Sequence, residues 1–387
     1  MKIFVISHAC VTPENREIYR RLVHKGAQVD IVMPLAEEYG KKEFPEDQTD
    51  LNIYHRKQTG FGSRFHTYKG LRNLLDQREP DIVLLDLEPD SLLAWQLGRW
   101  CLEKKKKLII QTCENLSPER TVCLKGFLMR KAQLFARRCF LKKALKATSY
   151  LFPISDDGAD LLKSMGFASK NIIKIPLGVN VQHFKPDSRQ REELRSAFNV
   201  DGQSRIIAYF GRIVEAKGID ILINSLGLLL NDKSWKFLID MPKTAQSSYQ
   251  EKIQTLIKKN QIEDRVLYFE ALHSEMPKFY NATDIVVVPS RDTPQFVEQY
   301  GRVVAEALAC GKTLIISDSG ALSEVAGGCA IIAKSENITD LSTKLGEALQ
   351  IPKVEIAENS ERNIRRAQKA ISVEQQLDKI WPIFAEN

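Results

Sequence analysis

The chain has 387 residues, 43% of them apolar and 27% charged, proportions ordinary for a globular protein long enough to hold two domains with a core each. The formal net charge is +7, and no apolar run approaches the length of a membrane span, which excludes an integral membrane protein built on helices. Seven cysteines without a CxxC pair read as reduced thiols, and Met1-Lys2 leads straight into a short strand rather than an export leader, so a cytoplasmic location is expected.

In chain order, a first series of elements begins with a strand at 3–7, a helix at 14–25 ending at Gly26, and a strand at 28–33. Further strands are expected at 81–85 (DIVLL), 107–111 and 150–155. Such short Val/Ile/Leu runs suit parallel strands buried on both faces. Between the last two lies a basic stretch from Arg120 to Lys146, with nine Lys/Arg residues and no Asp or Glu. Val122, Leu124, Phe127, Leu128, Leu134, Phe135, Phe140 and Leu141 are interleaved with these cations. That pattern is an amphipathic helix. It fits a solvated face over a core, or attachment to an anionic membrane surface. No aromatic-basic module accompanies it, so nucleic acid is not expected as a partner.

A second series starts at Arg205, with strands at 206–210, 235–239, 265–269, 284–289, 313–317 and 330–332 and helical segments between them. The fold class is therefore α/β, with two consecutive doubly wound units. They join near residues 176–186, a stretch bearing Gly, Pro and Asn. Ligands of such sheets bind beyond the carboxyl ends of the strands, and two facing units would take substrate in a cleft between them. The end of the chain, 372–384, reads as a helix carrying Trp381.

Two clusters of polar residues fall at strand ends in the second series. The first is YFGRIVEAKG at 209–218, where Arg212 and Lys217 stand on a loop between a strand and a helix. An Arg fork and a mobile Lys suit a diphosphate, although each could equally be a solvated surface cation. The second is EQYGRVVAEALACG at 298–311. It places Glu298 and Glu306 eight residues apart around a turn that opens a helix. The free N–H groups of a helix start attract phosphate, and a carboxylate beside them accepts hydrogen bonds from sugar hydroxyls. Exposed glutamates usually only solvate a helix. Glu306, however, lies in an otherwise uncharged run, VVAEALA, and a carboxylate in that setting needs a partner.

With FPIS at 152–155, IPLGVN at 175–180, Phe184, Pro186, DRV at 264–266, DIVVVPS at 284–290 and SDSGALSEV at 317–325, these pieces form an ordered set. The chain resembles the retaining GT-B glycosyltransferases of family 4 (glycosyl transferases group 1), over roughly residues 152–324. The resemblance implies a GT-B fold: two facing Rossmann-like domains with an interdomain cleft. Residues 1–180 would form the acceptor domain, completed by a C-terminal helix at 370–387, and residues 181–369 the donor domain. It implies transfer of a sugar from a nucleotide sugar, without metal or other cofactor, to a lipid-linked, polysaccharide or small-molecule acceptor, with retention of configuration. A peripheral position on the inner face of the membrane would suit a glycolipid acceptor and the 120–146 stretch.

The resemblance also assigns roles. Glu298 would contact the transferred sugar, and Glu306 the ribose. Backbone N–H groups around Tyr300, Gly301, Arg302 and Val303 would hold sugar and diphosphate, and Arg212 and Lys217 would neutralise the departing diphosphate.

The chain departs from the family pattern at several points. His8-Ala9-Cys10 stands where a Gly-Gly pair is usual, and Thr112-Cys113-Glu114-Asn115 where many members carry a His. His8, Glu114 or Asn115 would then serve the acceptor side, or only cap local structure. Acceptor choice would lie in the loops at 60–67 and 87–91. Asp240-Met241-Pro242 and Glu270 replace glycines near the expected base site, which leaves the nucleotide unnamed. A nucleotide-sugar 2-epimerase of similar fold lacks a convincing acid/base set here. A non-catalytic binding protein is the remaining alternative. No GxGxxG follows the first strand of either unit, which argues against a dehydrogenase.

Overall fold

The structure is a computed structural model, and it describes residues 1–39, 51–62, 64–122, 127–244 and 246–386. The chain divides into two compact units. The first is Met1–Gly178 with the chain from Gln376 onward, and the second is Val179–Gln375.

Unit 1 opens with β1 (Lys2–Ser7), α1 (Glu17–His24), β2 (Gln28–Pro34), β3 (Asn52–Arg56), β4 (Gln58–Phe61) and β5 (Phe65–Tyr68). It continues through α2 (Leu71–Arg78), β6 (Ile82–Asp86), α3 (Leu92–Lys104), β7 (Lys107–Thr112), α4 (Phe127–Ala147), β8 (Thr148–Pro153) and α5 (Asp156–Ser164). Six strands form one parallel sheet in the order β3-β2-β1-β6-β7-β8. Its direction of growth reverses between β1 and β6, the switch point where ligands of such sheets bind. Side chains of successive strand residues go to opposite faces. Ile3 and Val5 therefore join Leu22 and Ile31 on one face, while Phe4 and Ile6 join Leu71, Leu97 and Trp100 on the other.

The helix expected at 14–25 is divided. Residues Pro13–Arg16 form a 3-10 turn before α1, and Arg16 is buried there, donating from Nε to the Cys10 carbonyl at 2.6 Å. The acceptor loop expected at 60–67 belongs to an antiparallel hairpin, β4–β5, although Ser63 lies outside the described residues. Residues 123–126 of the basic stretch also lie outside them, and from Phe127 onward that stretch is α4.

Unit 2 contains α6 (Ser188–Ala197), β9 (Arg205–Tyr209), α7 (Ile219–Gly227), β10 (Trp235–Asp240), α8 (Ser248–Lys259), β11 (Val266–Phe269), α9 (Met276–Ala282) and β12 (Ile285–Val288). α10 (Arg302–Ala309), β13 (Thr313–Ser317), α11 (Leu322–Ala326), β14 (Ile331–Ala333), α12 (Ile338–Leu349) and α13 (Lys353–Ala370) follow. Its parallel sheet runs β11-β10-β9-β12-β13-β14, with the reversal between β9 and β12.

The last helix, α14 (Val373–Ala385), returns to unit 1. Its Leu377, Ile380, Ile383 and Phe384 complete the core over β1 and β2, and Phe384 stacks on Phe152 with ring centroids 6.3 Å apart.

Candidate functional site: the carboxyl edge of the second sheet

The loops after β9 and β12 meet at the switch point of unit 2. Gly218 makes this approach possible. Its φ is +67°, and a Cβ there would stand 1.9 Å from the Pro289 carbonyl oxygen. Only glycine lets the loop carrying Lys217 lie against the end of β12. Gly320 does the same on the other side. At φ +46°, a Cβ there would be 2.1 Å from the Glu298 carbonyl oxygen, which itself accepts from the Ala321 N–H at 3.0 Å.

These close approaches bring the expected residues together. Glu298 is 6% exposed, and its Oε2 lies 2.5 Å from Lys217 Nζ. The same oxygen accepts from Ser290 Oγ at 2.7 Å. Lys217 Nζ also sits 5.1 Å from the centre of the Phe296 ring. The ammonium is therefore held in one place before any ligand arrives. Arg212 is exposed on the same loop, with its backbone carbonyl tied to the Tyr209 hydroxyl at 2.8 Å. Its guanidinium makes no ion pair among the described residues.

Tyr300 is buried, and its burial raises the hydroxyl pKa. Gly301, Arg302 and Val303 are half-buried at the start of α10, where the first N–H groups have no partner within the helix. Glu306, one turn further on, is 4% exposed. The partner its setting demands is the Tyr280 hydroxyl, which donates to Oε2 at 2.7 Å, while His273 Nε2 lies 3.4 Å from Oε1. Ser290, Tyr280 and His273 escaped the sequence reading. Ser290 ends the recognised DIVVVPS run, but nothing in the sequence links Tyr280 on α9 to Glu306 on α10.

At the neighbouring strand ends, Asp240 closes β10 and Glu270 follows β11. Burial, reinforced by the Glu270 charge, pushes the Asp240 carboxyl up to about 6.

The first-unit candidates follow β1 and β7. His8 follows β1 and packs edge-on to His66, 4.5 Å between ring centres, with Nε2 3.2 Å from the Tyr68 hydroxyl. Burial and the neighbouring His66 bring its pKa down to about 4, so the ring is neutral at pH 7. Glu114, after β7, pairs with Arg64 at 2.6 Å and also accepts from the N–H groups of Asn115 and Leu116. Arg64 is 7% exposed and holds Glu88 and, at 3.1 Å, Asp90 as well. Arg137 from α4 braces Asp90 from the other side at 2.5 Å. Burial alone would lower the Arg64 pKa, but the three carboxylates raise it. One guanidinium thus fastens the hairpin to the loops after β6 and β7. That arrangement was not visible in the sequence.

Comparison with known proteins places these observations in context. The model of "Glycosyl transferases group 1" matches residues 190–370, and that of "Glycosyltransferase Family 4" matches residues 15–183. Among curated proteins, the chain is 26% identical over 212 residues to the lipopolysaccharide core biosynthesis mannosyltransferase LpsB of Rhizobium meliloti, covering 54% of this chain and 58% of that protein. It is 27% identical over 175 residues to the D-inositol 3-phosphate glycosyltransferase of Xylanimonas cellulosilytica, covering 44% of this chain and 40% of that protein. The matched stretch thus spans about half the length of these curated relatives.

Among solved structures, a glycosyltransferase from Rickettsia africae superposes with a TM-score of 0.77 at 16% identity, covering 99% of this chain and 97% of that one. HepE of Anabaena in complex with UDP also gives 0.77, at 17% identity and 100% of both chains. At these identities the likeness concerns the fold, which both share with this chain from end to end.

Proposed function

The chain belongs to the group 1, family 4 glycosyltransferases of GT-B fold, and from that premise we propose that it moves a sugar from a nucleoside diphosphate sugar to a glycan or glycolipid acceptor. One observation carries this reading. Lys217, Glu298, the start of α10 and Glu306 converge on a single sheet edge, with both carboxylates buried and held by named partners. Lys217 and Arg212 face the charge that grows on the departing diphosphate, and the α10 N–H groups add a fixed dipole toward it. These cations supply the charge that a divalent metal would otherwise bring, so turnover is proposed to persist in a chelator. Glu298 holds the transferred sugar, and Glu306 accepts from the ribose hydroxyls. Retention of configuration follows the family resemblance and is read from the anomer of the product by NMR.

The ribose contact gives the test. Charge-assisted hydrogen bonds contribute about 1.5–3 kcal/mol each. Glu306→Ala is therefore expected to weaken nucleotide-sugar binding by about 10- to 100-fold, and the wild-type chain to gain thermal stability from at least one nucleotide sugar. Titration calorimetry of both proteins checks this. Equal affinity in wild type and variant removes Glu306 from the site.

The acceptor is proposed to be presented at an anionic membrane surface, which the α4 face supports. Phe127, Leu128, Met129 and Phe135 are 55–79% exposed, and Arg130, Lys131, Arg138 and Lys142 are exposed among them. Lys131 Nζ lies 4.2 Å from the Phe127 ring centre. Apolar side chains that gain by entering lipid thus stand beside cations that each contribute about 1 kcal/mol near acidic headgroups. The chain is expected to sediment with anionic vesicles, less so in high salt, and to lose most of that binding when Leu128 and Phe135 become serine. Equal recovery with neutral and anionic vesicles refutes the electrostatic attachment.

A further inference from the structure

The two acidic residues at the ends of β10 and β11 form part of the same edge as Glu306. Parallel pairing sets Asp240 opposite Phe269, so Glu270 is the next residue along, and the Met241 N–H donates to the Phe269 carbonyl at 3.0 Å. The loop that follows β11 spans the gap to the ribose position. Glu270 begins it, Leu272 stands 72% exposed within it, and His273 reaches Glu306 at 3.4 Å. A second path runs through the rings. Tyr280, which holds Glu306, lies 4.3 Å from Phe210, and Phe210 lies 6.0 Å from Phe269. To a base attached to a ribose at Glu306, this stretch offers the exposed apolar Leu272 side chain and the two carboxylates.

Neither carboxylate has a hydrogen bond or ion pair among the described residues. Asp240 is half-buried and Glu270 exposed; a half-buried carboxylate without a donor is costly, so Asp240 is suited to a ligand that brings donors, with Glu270 beside it. Carboxylates only accept. Guanine presents two adjacent donors, N1–H and the N2 amino group, on one edge. Uracil presents a single N3–H flanked by two carbonyl oxygens, which two carboxylates repel. Adenine and cytosine each place their amino donor beside a ring nitrogen acceptor. We propose that Asp240, together with Glu270, makes this edge select a guanine nucleotide, so that the donor is a GDP-sugar. This rests on the donor-site reading above and adds the identity of the base.

Titration calorimetry of the full chain with GDP, UDP and ADP tests it. GDP is expected to bind about 10- to 100-fold more tightly than UDP, the discrimination typical of one well-placed pair of base-edge hydrogen bonds. The double variant Asp240→Asn, Glu270→Gln is expected to lose that preference, GDP binding more weakly while UDP binds at least as tightly as before, which also shows that it is folded. Tighter binding of UDP or ADP by the wild-type chain overturns the guanine assignment and leaves the donor site standing. An unchanged GDP preference in the double variant overturns the role of the two carboxylates. Absence of binding by all three nucleotides to the folded chain overturns the donor site and the assignment together.

Discussion

Lys217→Ala is expected to lower kcat for sugar transfer by about 10²–10³-fold, the usual loss when a fixed group aimed at developing transition-state charge is removed. When the bond from the sugar to the diphosphate breaks, negative charge grows on the leaving oxygen. An ammonium already in place stabilises that charge without reorganising at the moment of reaction. Glu298 provides the placement: its buried carboxylate holds Nζ at 2.5 Å, and Ser290 fixes the carboxylate in turn. The effect should fall mainly on kcat, because the charge is larger in the transition state than in the bound donor. Lys217→Arg should recover part of the rate, since the charge returns with a different reach. Steady-state kinetics on both variants decides the matter. An unchanged kcat with a raised KM assigns Lys217 to ground-state binding alone.

Removing the cation at the centre of the first-unit ion cluster should have the largest effect on stability. Arg64→Met is expected to destabilise unit 1 by about 3–5 kcal/mol, the range for breaking a buried pair from one side. Arg64 serves Glu88, Asp90 and Glu114, and among the described residues only Asp90 has a second guanidinium, from Arg137. The Glu88 carboxyl already has a raised pKa, because burial outweighs the pull of Arg64. Without Arg64 it rises further. A carboxyl whose folded-state pKa lies above its unfolded value costs stability at pH above both and none at pH below both. The deficit of the variant should therefore shrink as the pH falls through the range of the Glu88 carboxyl. Urea unfolding in a Trp235→Phe background checks this, because the remaining tryptophans, Trp95, Trp100 and Trp381, all belong to unit 1. A loss below about 1 kcal/mol would show that the cluster relaxes around the gap.

Strands such as β6 and β12 were legible in the sequence because parallel strands buried on both faces must be continuous Val, Ile and Leu. The hairpin β4–β5 was not legible. Its QTGF and FHTY strands carry little apolar alternation, and what positions them is Arg64 and the bond from Thr67 Oγ1 to Gln96 at 2.5 Å. β3, an edge strand of sequence NIYHR, was hidden for the same reason. At the candidate site, Lys217, Glu298 and Glu306 stood out because each lies beside a recognisable strand or within an apolar helix. Their partners did not. The pairing of Lys217 with Glu298 spans 81 residues, and that of Tyr280 with Glu306 spans 26. Both depend on packing that local pattern does not encode. Likewise, the departures at Asp240 and Glu270 showed in the sequence only as missing glycines, and the sheet register turned them into neighbours.

The return of α14 to the first unit has a consequence for biosynthesis. Ile3, Val5, Val29 and Ile31 are made before unit 2, yet Leu377, Ile380 and Phe384, which cover them, are made after it. Roughly 200 residues of unit 2 must be translated in between, which takes about 10–40 s at 5–20 residues per second. Unit 2 has its complete core sequence before unit 1 does. Through that interval the apolar face of β1 and β2 lacks the α14 side chains that cover it in the folded chain.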